Sequence, residues 1–299
     1  MRFHETQFMN SQISNWSELL ALVNQSTPHL DWIFRGLEKG PNDKKELEIL
    51  SHFDGAWNRR QEKNVPRKLY EAWMLHEFRR EAYHYLRHLP ERGDLLEWLA
   101  LGRHYGMPVR LLDFTYSFYV AVYFAISRRI GNEDGWVLAF NYKWHKQQLE
   151  TKIVPTLASK CKVPLHKAAF QDPRLFKGFA VDNPKDYVAA VNPFRRNPRL
   201  AAQQGLFLCP GNIEHNFEKN LEKALPKDPR RRKDKLILIR VPSKIRTETM
   251  KELWQMNISS ASLFRDLSGW AESQGDLVHR NIQEKRSRME LKLELENPR

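Results

Sequence analysis

The sequence predicts an α+β fold. Helix and strand signals alternate irregularly along the chain instead of repeating as βαβ units. No internal repeat or low-complexity tract interrupts them. Of 299 residues, 41% are apolar, with nine Trp and sixteen Phe, enough to bury a sizeable core and exclude wholesale disorder.

The elements follow in order. Trp16 to Val23 reads as a short amphipathic helix, with Ser14 or Asn15 as its N-cap. Asp31 to Phe34 reads as a short strand ending in Arg35-Gly36. From Leu69 to Leu89, a helical period puts Leu75, Phe78, Ala82, Tyr85, Leu86 and Leu89 on one face. Asp94 with Glu97 three residues on predicts a capped helix from Leu95 to about Tyr105, which Gly106 stops and Pro108 prevents from continuing. Val109 to Asp113 is a strand candidate. Thr115 or Ser117 can cap the next helix, Tyr119 to about Ser127, which is apolar nearly all round and therefore central. Gly135–Asn141, Tyr187–Asn192, Gly205–Cys209 and Lys235–Val241 complete the strand candidates. Lys152 to Asp172 is ambiguous, and Glu284 to Glu296 reads as a charged helix or frayed end.

Composition excludes several classes. Cys161 and Cys209 lie far apart, which rules out a cysteine zinc module and a disulfide scaffold and suggests two reduced thiols. The start of the chain lacks the basic and apolar regions of a signal peptide. The longest apolar run, Phe118 to Ile126, is far short of the ~20 residues a spanning helix needs, so a soluble, cytoplasmic protein is expected. A net charge of +13 favours polyanionic partners, whether nucleic acid, nucleotides, an acidic protein or an anionic membrane surface; nucleic acid is expected and no membrane partner is. Between Lys223 and Lys235 stand seven basic and two acidic residues, including Arg230, Arg231, Arg232 and Lys233. That stretch is either a solvated loop or an electrostatic handle on phosphates.

Phosphate-binding glycine loops, the dinucleotide fingerprint and the nucleophile elbow are absent. His76-Glu77 fails as a zinc motif because Arg80 takes the fifth position, and His84 with His88 lacks a third ligand; no metal is expected. Three segments carry polar chemistry instead. Phe34-Arg35-Gly36 ends a strand: the arginine can grip a phosphate while the glycine lets a ligand approach, or it can form a structural ion pair. His104 to Thr115 gathers titratable groups around a helix-to-strand turn. Strand alternation there puts Arg110 and Leu112 on one face, Leu111 and Asp113 on the other, leaving Asp113 either buried on an arginine or facing a cleft. Asn197 to Phe207 sets Gln203 before a glycine and a strand, where it either bonds a ribose or a substrate amide or is simply a polar loop residue.

Taken together and in this order, the segments resemble the FRG domain family. Phe34-Arg35-Gly36 is similar to its naming motif, and Arg103-His104-Tyr105-Gly106-Met107-Pro108-Val109-Arg110-Leu111-Leu112-Asp113-Phe114-Thr115 resembles its central signature, followed by Ala121 to Ala125. Arg199 to Phe207 and Ser262 to Trp270 resemble two later motifs. Arg103 stands where the family pattern has Gln, Val109 for Thr, Phe114 for Trp and Arg265 for Pro. The resemblance runs from Asp31 to Glu272 and implies three regions. These are an N-terminal helical segment over 1–30, an FRG-like domain over 31–272 with a helical insertion at about 40–105, and a charged tail over 273–299.

The motif layout is in turn similar to that of ADP-ribosyltransferases. That likeness implies a split, bent, mixed or antiparallel sheet surrounded by helices, with NAD as substrate. It implies catalytic roles for Arg35, His104, Asp113 and Gln203, and NAD contacts from Phe34, Arg35, Gly36, Tyr105, Arg110 and Thr115. Gln203 stands where many such enzymes carry Glu, so Asp113 becomes the candidate for the negative charge opposite an oxocarbenium-like ribose. The resulting expectation is a toxin-like transferase modifying nucleic acid, RNA favoured, in anti-phage defence or a toxin–antitoxin system. Arg230 to Lys233 would hold the polyanion, and an antitoxin or chaperone would restrain the activity by docking on the tail or on Lys152–Asp172. The alternative is a nucleotide- or nucleic-acid-binding module without chemistry. A metal-dependent nuclease is disfavoured because Asp113, Glu133, Asp134 and Asp182 share no metal spacing.

Overall fold

The structure, a computed structural model, describes residues 1–276 except 5, 6, 10, 11, 29, 30, 38, 61–63, 129–131 and 168. The predicted helix or frayed end at Glu284–Glu296 lies outside the described residues. Seven strands form one mixed sheet: β1 (Phe8–Met9), β2 (Trp32–Leu37), β3 (Leu112–Thr115), β4 (Gly135–Asn141), β5 (Val188–Val191), β6 (Gly205–Pro210) and β7 (Leu236–Val241). Their order is β1-β7-β4-β2-β3-β6-β5, and only the β1–β7 pair is parallel. The fold is thus α+β. β2 and β4 are in register over their lengths, whereas β2 and β3 share the single pair Phe34↔Thr115. The sheet therefore splits between β2 and β3.

Strict alternation on the central strands divides the core. Trp32, Phe34, Val137, Ala139, Ile237 and Ile239 point to one face. They pack on α1 (Trp16–Ser26), α5 (Phe118–Ile126) and later helices near the end of the described chain. Ile33, Leu37, Leu138, Phe140, Leu236 and Leu238 point to the other face and meet the helices inserted between β2 and β3 and those between β4 and β6. The inserted helices are α2 (His52–Asn58), α3 (Arg67–Tyr85) and α4 (Leu95–His104). Asn15, Asp94 and Ser117 each accept a backbone N–H from their own first turn, fixing where α1, α4 and α5 begin.

Two expectations need correction and one ambiguity is resolved. α3 ends at Tyr85, whose side chain is 80% exposed, so Tyr85 leaves the apolar face and Leu86 is already extended. β3 begins at Leu112 and not at Val109. The Val109 carbonyl accepts from Phe53 N at 3.2 Å and the Arg110 side chain turns to Glu71, so residues 109–111 dock on α2 and α3 instead of joining the sheet. The ambiguous 152–172 stretch is helical at its start. A π-helical turn (Leu149–Ile153) links α6 (Tyr142–Gln148) to α7 (Val154–Lys160), and α8 (Pro173–Lys177) follows.

Candidate functional site

The split between β2 and β3 is filled by charge. Arg35 donates from Nη1 to the Asp113 carbonyl at 2.8 Å and lies 3.9 Å from its carboxylate. Arg103, on the last turn of α4, donates to Asp113 Oδ2 from Nε at 2.9 Å and from Nη2 at 2.6 Å. Its remaining nitrogen lies 2.8 Å from His52 Nδ1. A third guanidinium belongs to Arg199 on α9 (Pro198–Ala202). It lies 4.5 Å over the ring of Phe264, the last residue of α12 (Ser260–Phe264). Ala100, Arg103, His104, Asp113, Asn197, Arg199, Leu200, Gln203 and Phe207 line one shallow cleft with an open volume of only about 20 Å³.

Electrostatics inside this cleft are uneven. Burial pushes the Asp113 carboxyl up, but Arg103, Arg35 and Arg199 together outweigh it and hold it below the usual range. Asp113 is therefore ionised at neutral pH, with 38% of its side chain still exposed. Burial, and then Arg199, lower the His104 pKa against a smaller opposing pull from Asp266. His104 is thus neutral at pH 7, and its buried Nδ1 has no partner among the described residues. Burial also lowers the Arg199 pKa, which Asp113 partly restores. Arg103 and Arg199 on the cleft wall, with Arg35 behind Asp113, outnumber the carboxylates of Asp113 and Asp266, so the site carries net positive charge, which favours an anion.

Gln203 closes α9 as its C-cap residue. Its Nε2 donates to Leu263 O at 3.3 Å, and its carbonyl accepts from Thr115 Oγ1 at 2.6 Å. Gln204 follows in the left-handed region (φ 47°), and its carbonyl accepts from Tyr116 N at 3.0 Å. Thus β3 and the α9–β6 turn are tied at two successive carbonyls.

Residues 30–134 match the FRG domain family. The chain contains an FRG domain. No curated protein and no solved structure matches the chain. The match holds β2, α2 to α5 and β3, and so Arg35, Arg103, His104 and Asp113. It stops short of Arg199 and Gln203, which line the same cleft, and of the Ser262–Trp270 segment, whose Phe264 ring and Leu263 carbonyl hold those two side chains from behind.

The three residues of the FRG domain's Phe-Arg-Gly triplet do different things. Only Arg35 faces the split. Phe34 is 6% exposed and packs edge-on against Phe118 of α5, so its expected contact with NAD is corrected to a core role. Gly36 does not open the backbone to a ligand: a Cβ there would lie 2.4 Å from Ala121 O and 2.6 Å from Ala125 N. The glycine lets α5 lie directly on β2. We expect Gly36→Ala to destabilise the FRG domain by about 3 kcal/mol, the upper end for overpacking, because the clash is with helix backbone. Urea unfolding measures it, and a loss within about 0.5 kcal/mol, the range of a neutral surface change, would contradict this reading.

Arg110 is also corrected. It is 2% exposed, donates to both Glu71 oxygens and to Ala180 O at 2.9 Å, and cannot reach a ligand. Thr115 is 5% exposed, and its hydroxyl donates to Gln203 O while accepting Ser117 N, so it fastens the cleft wall instead of contacting NAD. Tyr105 is exposed beside His104, outside the cleft lining. Arg230 to Lys233 stand on a surface turn before β7. In the sheet order β7 is three strands from β3, about 14 Å across, so this turn is separate from the cleft.

Arg103 and Arg199 were not assigned roles from sequence. Arg103 reads there only as a departure from the FRG pattern, and Arg199 only as a motif letter. The available signal was Arg103 lying one helical turn before a stop, with Asp113 on the next strand.

Proposed function

We propose that the FRG-domain cleft binds NAD and cleaves it, with transfer of ADP-ribose to nucleic acid, RNA favoured. One observation supports this above all: three guanidinium groups surround a single ionised, partly exposed carboxylate where the sheet splits. In this reading Arg35, Arg103 and Arg199 take the diphosphate, as planar forks do. Asp113 faces the positive charge that develops on the ribose. The bond between ribose C1′ and the nicotinamide nitrogen breaks, and its electron pair leaves with nicotinamide. A lone pair of the acceptor forms the new bond to C1′, and neutral His104 takes the acceptor's proton. Gln203 Oε1 holds a ribose hydroxyl while its amide nitrogen stays on Leu263 O. The net charge of +13 and the exposed Arg230–Lys233 turn favour a polyanionic acceptor.

A second reading is favoured by the Arg103 clamp. Both of its bonds fall on one Asp113 oxygen, and among the described residues Asp113 is the only carboxylate lining the cleft. A module that binds a nucleotide without chemistry would look the same.

Incubation with NAD labelled on its adenylate half, in a cell lysate, separates the two. The transferase reading expects free nicotinamide and label in the RNA fraction, both lost in Arg35→Ala. Asp113→Asn should still raise its melting temperature with NAD but release at least 100-fold less nicotinamide, comparable to removal of a charge-stabilising group. A melting shift without nicotinamide from the parent protein selects the binding module. Neither signal would overturn both.

A further inference from the structure

A second concavity shares no residue with the cationic cleft. It has a volume of about 300 Å³, at the small end of ordinary ligand pockets. It lies between α6, the π-helical turn that follows, the loop before α8, and the end of β5. Leu149, Val154, Phe170 and Val191 give it an apolar floor. Lys146 and Glu150, paired only loosely at 3.9 Å, stand at its exposed rim, and the ring of Tyr142 closes one side.

Its polar centre is Asn192. The Asn192 amide donates from Nδ2 to Tyr116 Oη at 3.1 Å, which fixes the side chain. Its Oδ1 has no partner among the described residues, and the amide has a second N–H. What remains is one acceptor beside one donor, next to aromatic rings and above an apolar floor. A 6-aminopurine presents the complement: an exocyclic amine that donates and a ring N7 that accepts. An unsubstituted purine blocked at N9 keeps N7 as acceptor but has no N–H to give to Asn192 Oδ1.

We infer that this cavity is a separate binding site for a 6-aminopurine base, read by Asn192 and enclosed by Tyr142 and Phe170. The site also has a route to the cationic cleft. Tyr116, which holds Asn192 and meets Tyr142 edge-on at 5.6 Å, follows Thr115 directly. The Tyr116 backbone N–H and the Thr115 hydroxyl bond the Gln204 and Gln203 carbonyls of the cleft wall. A base seated against Tyr142 and Asn192 thus bears on the residue that fastens Gln203. The assignment is independent of NAD cleavage.

The test is calorimetric titration of the full chain with 9-methyladenine and, separately, 9-methylpurine, which lacks the exocyclic amine. Saturable 1:1 binding of 9-methyladenine is expected, with 9-methylpurine at least tenfold weaker, about 1.4 kcal/mol. Asn192→Leu should abolish the preference, and Ala190→Phe, which fills the cavity from the β5 wall, should abolish binding. Arg35→Ala should leave 9-methyladenine binding unchanged. Equal affinity for the two bases on the parent protein would overturn the assignment, as would absence of saturation. Loss of 9-methyladenine binding in Arg35→Ala but not in Asn192→Leu would place the base in the cationic cleft and overturn it too.

Discussion

Arg110→Met is expected to lower stability by about 3–5 kcal/mol, the cost of leaving one partner of a buried ion pair without the other. Arg110 and Glu71 are 2% and 5% exposed. The guanidinium faces the carboxylate side-on, with Nε and Nη2 each donating to it. Glu71 pairs with Arg110 across the gap from α3 to the segment before β3. Without the guanidinium the Glu71 carboxylate loses the hydrogen bonds from Nε and Nη2 while remaining buried. The carbonyls of Ala180 and Pro210 lose a donor as well.

The second variant decides the cause. Arg110→Met with Glu71→Met removes both charges at similar volume. It should recover about half of the loss, because the ion pair itself adds little over apolar packing while the orphaned carbonyls still cost about 1–2 kcal/mol. Urea midpoints for the three proteins measure the differences. If the double variant is as unstable as the single, the arginine is needed for its shape and carbonyl bonds, and the unpaired Glu71 is not the source. The same variants separate fold from site: Arg110 lies outside the cleft, so the folded double variant should give the NAD response of the parent protein.

This pair also shows what a sequence can and cannot disclose. Local signals were legible: Asn15, Asp94 and Ser117 cap the helices they precede, Gly135–Asn141 forms the predicted strand, and Gly106 (φ 85°) stops α4. These features depend on residues within a few positions. The roles of Arg35 and Arg110 were not separable in the same way. Each is an arginine near a strand, and a pattern of letters does not say which meets a carboxylate in the core. Glu71, 39 positions from Arg110, settles it, and nothing local in α3 marks it. Gly36 misled for a related reason. A glycine beside an arginine suits ligand approach, yet it equally suits close packing of a helix, and the helix lies 85 or more residues downstream. Arg103 and Arg199 escaped because the cleft is assembled from α4, β3 and α9, which only the fold brings together.

His145 is expected to make the protein acid-sensitive. The ring sits on α6 with 0% exposure, stacked on Tyr187 at 5.7 Å and tilted against Phe140 at 4.9 Å. Neither ring nitrogen has a partner among the described residues. Burial alone pushes its pKa down to about 3. The folded state therefore keeps His145 neutral, while the unfolded chain takes up a proton below about 6.5. Unfolded molecules then bind more protons than folded ones, so stability is lost as pH falls from about 6.5 towards 3. At about 1.4 kcal/mol per pH unit, this group alone removes about 2.7 kcal/mol by pH 4.5. Other carboxylates and histidines add their own slopes, so the informative quantity is a difference. His145→Phe keeps the aromatic contacts and removes the titration. It should gain about 1–2 kcal/mol at pH 7.5, where an unpaired buried N–H is no longer carried. Its advantage should widen by about 2.7 kcal/mol at pH 4.5. Urea midpoints at the two pH values read both quantities. Parallel pH profiles for the parent protein and His145→Phe would mean that His145 finds a proton acceptor in the folded state, and the widening would then be absent.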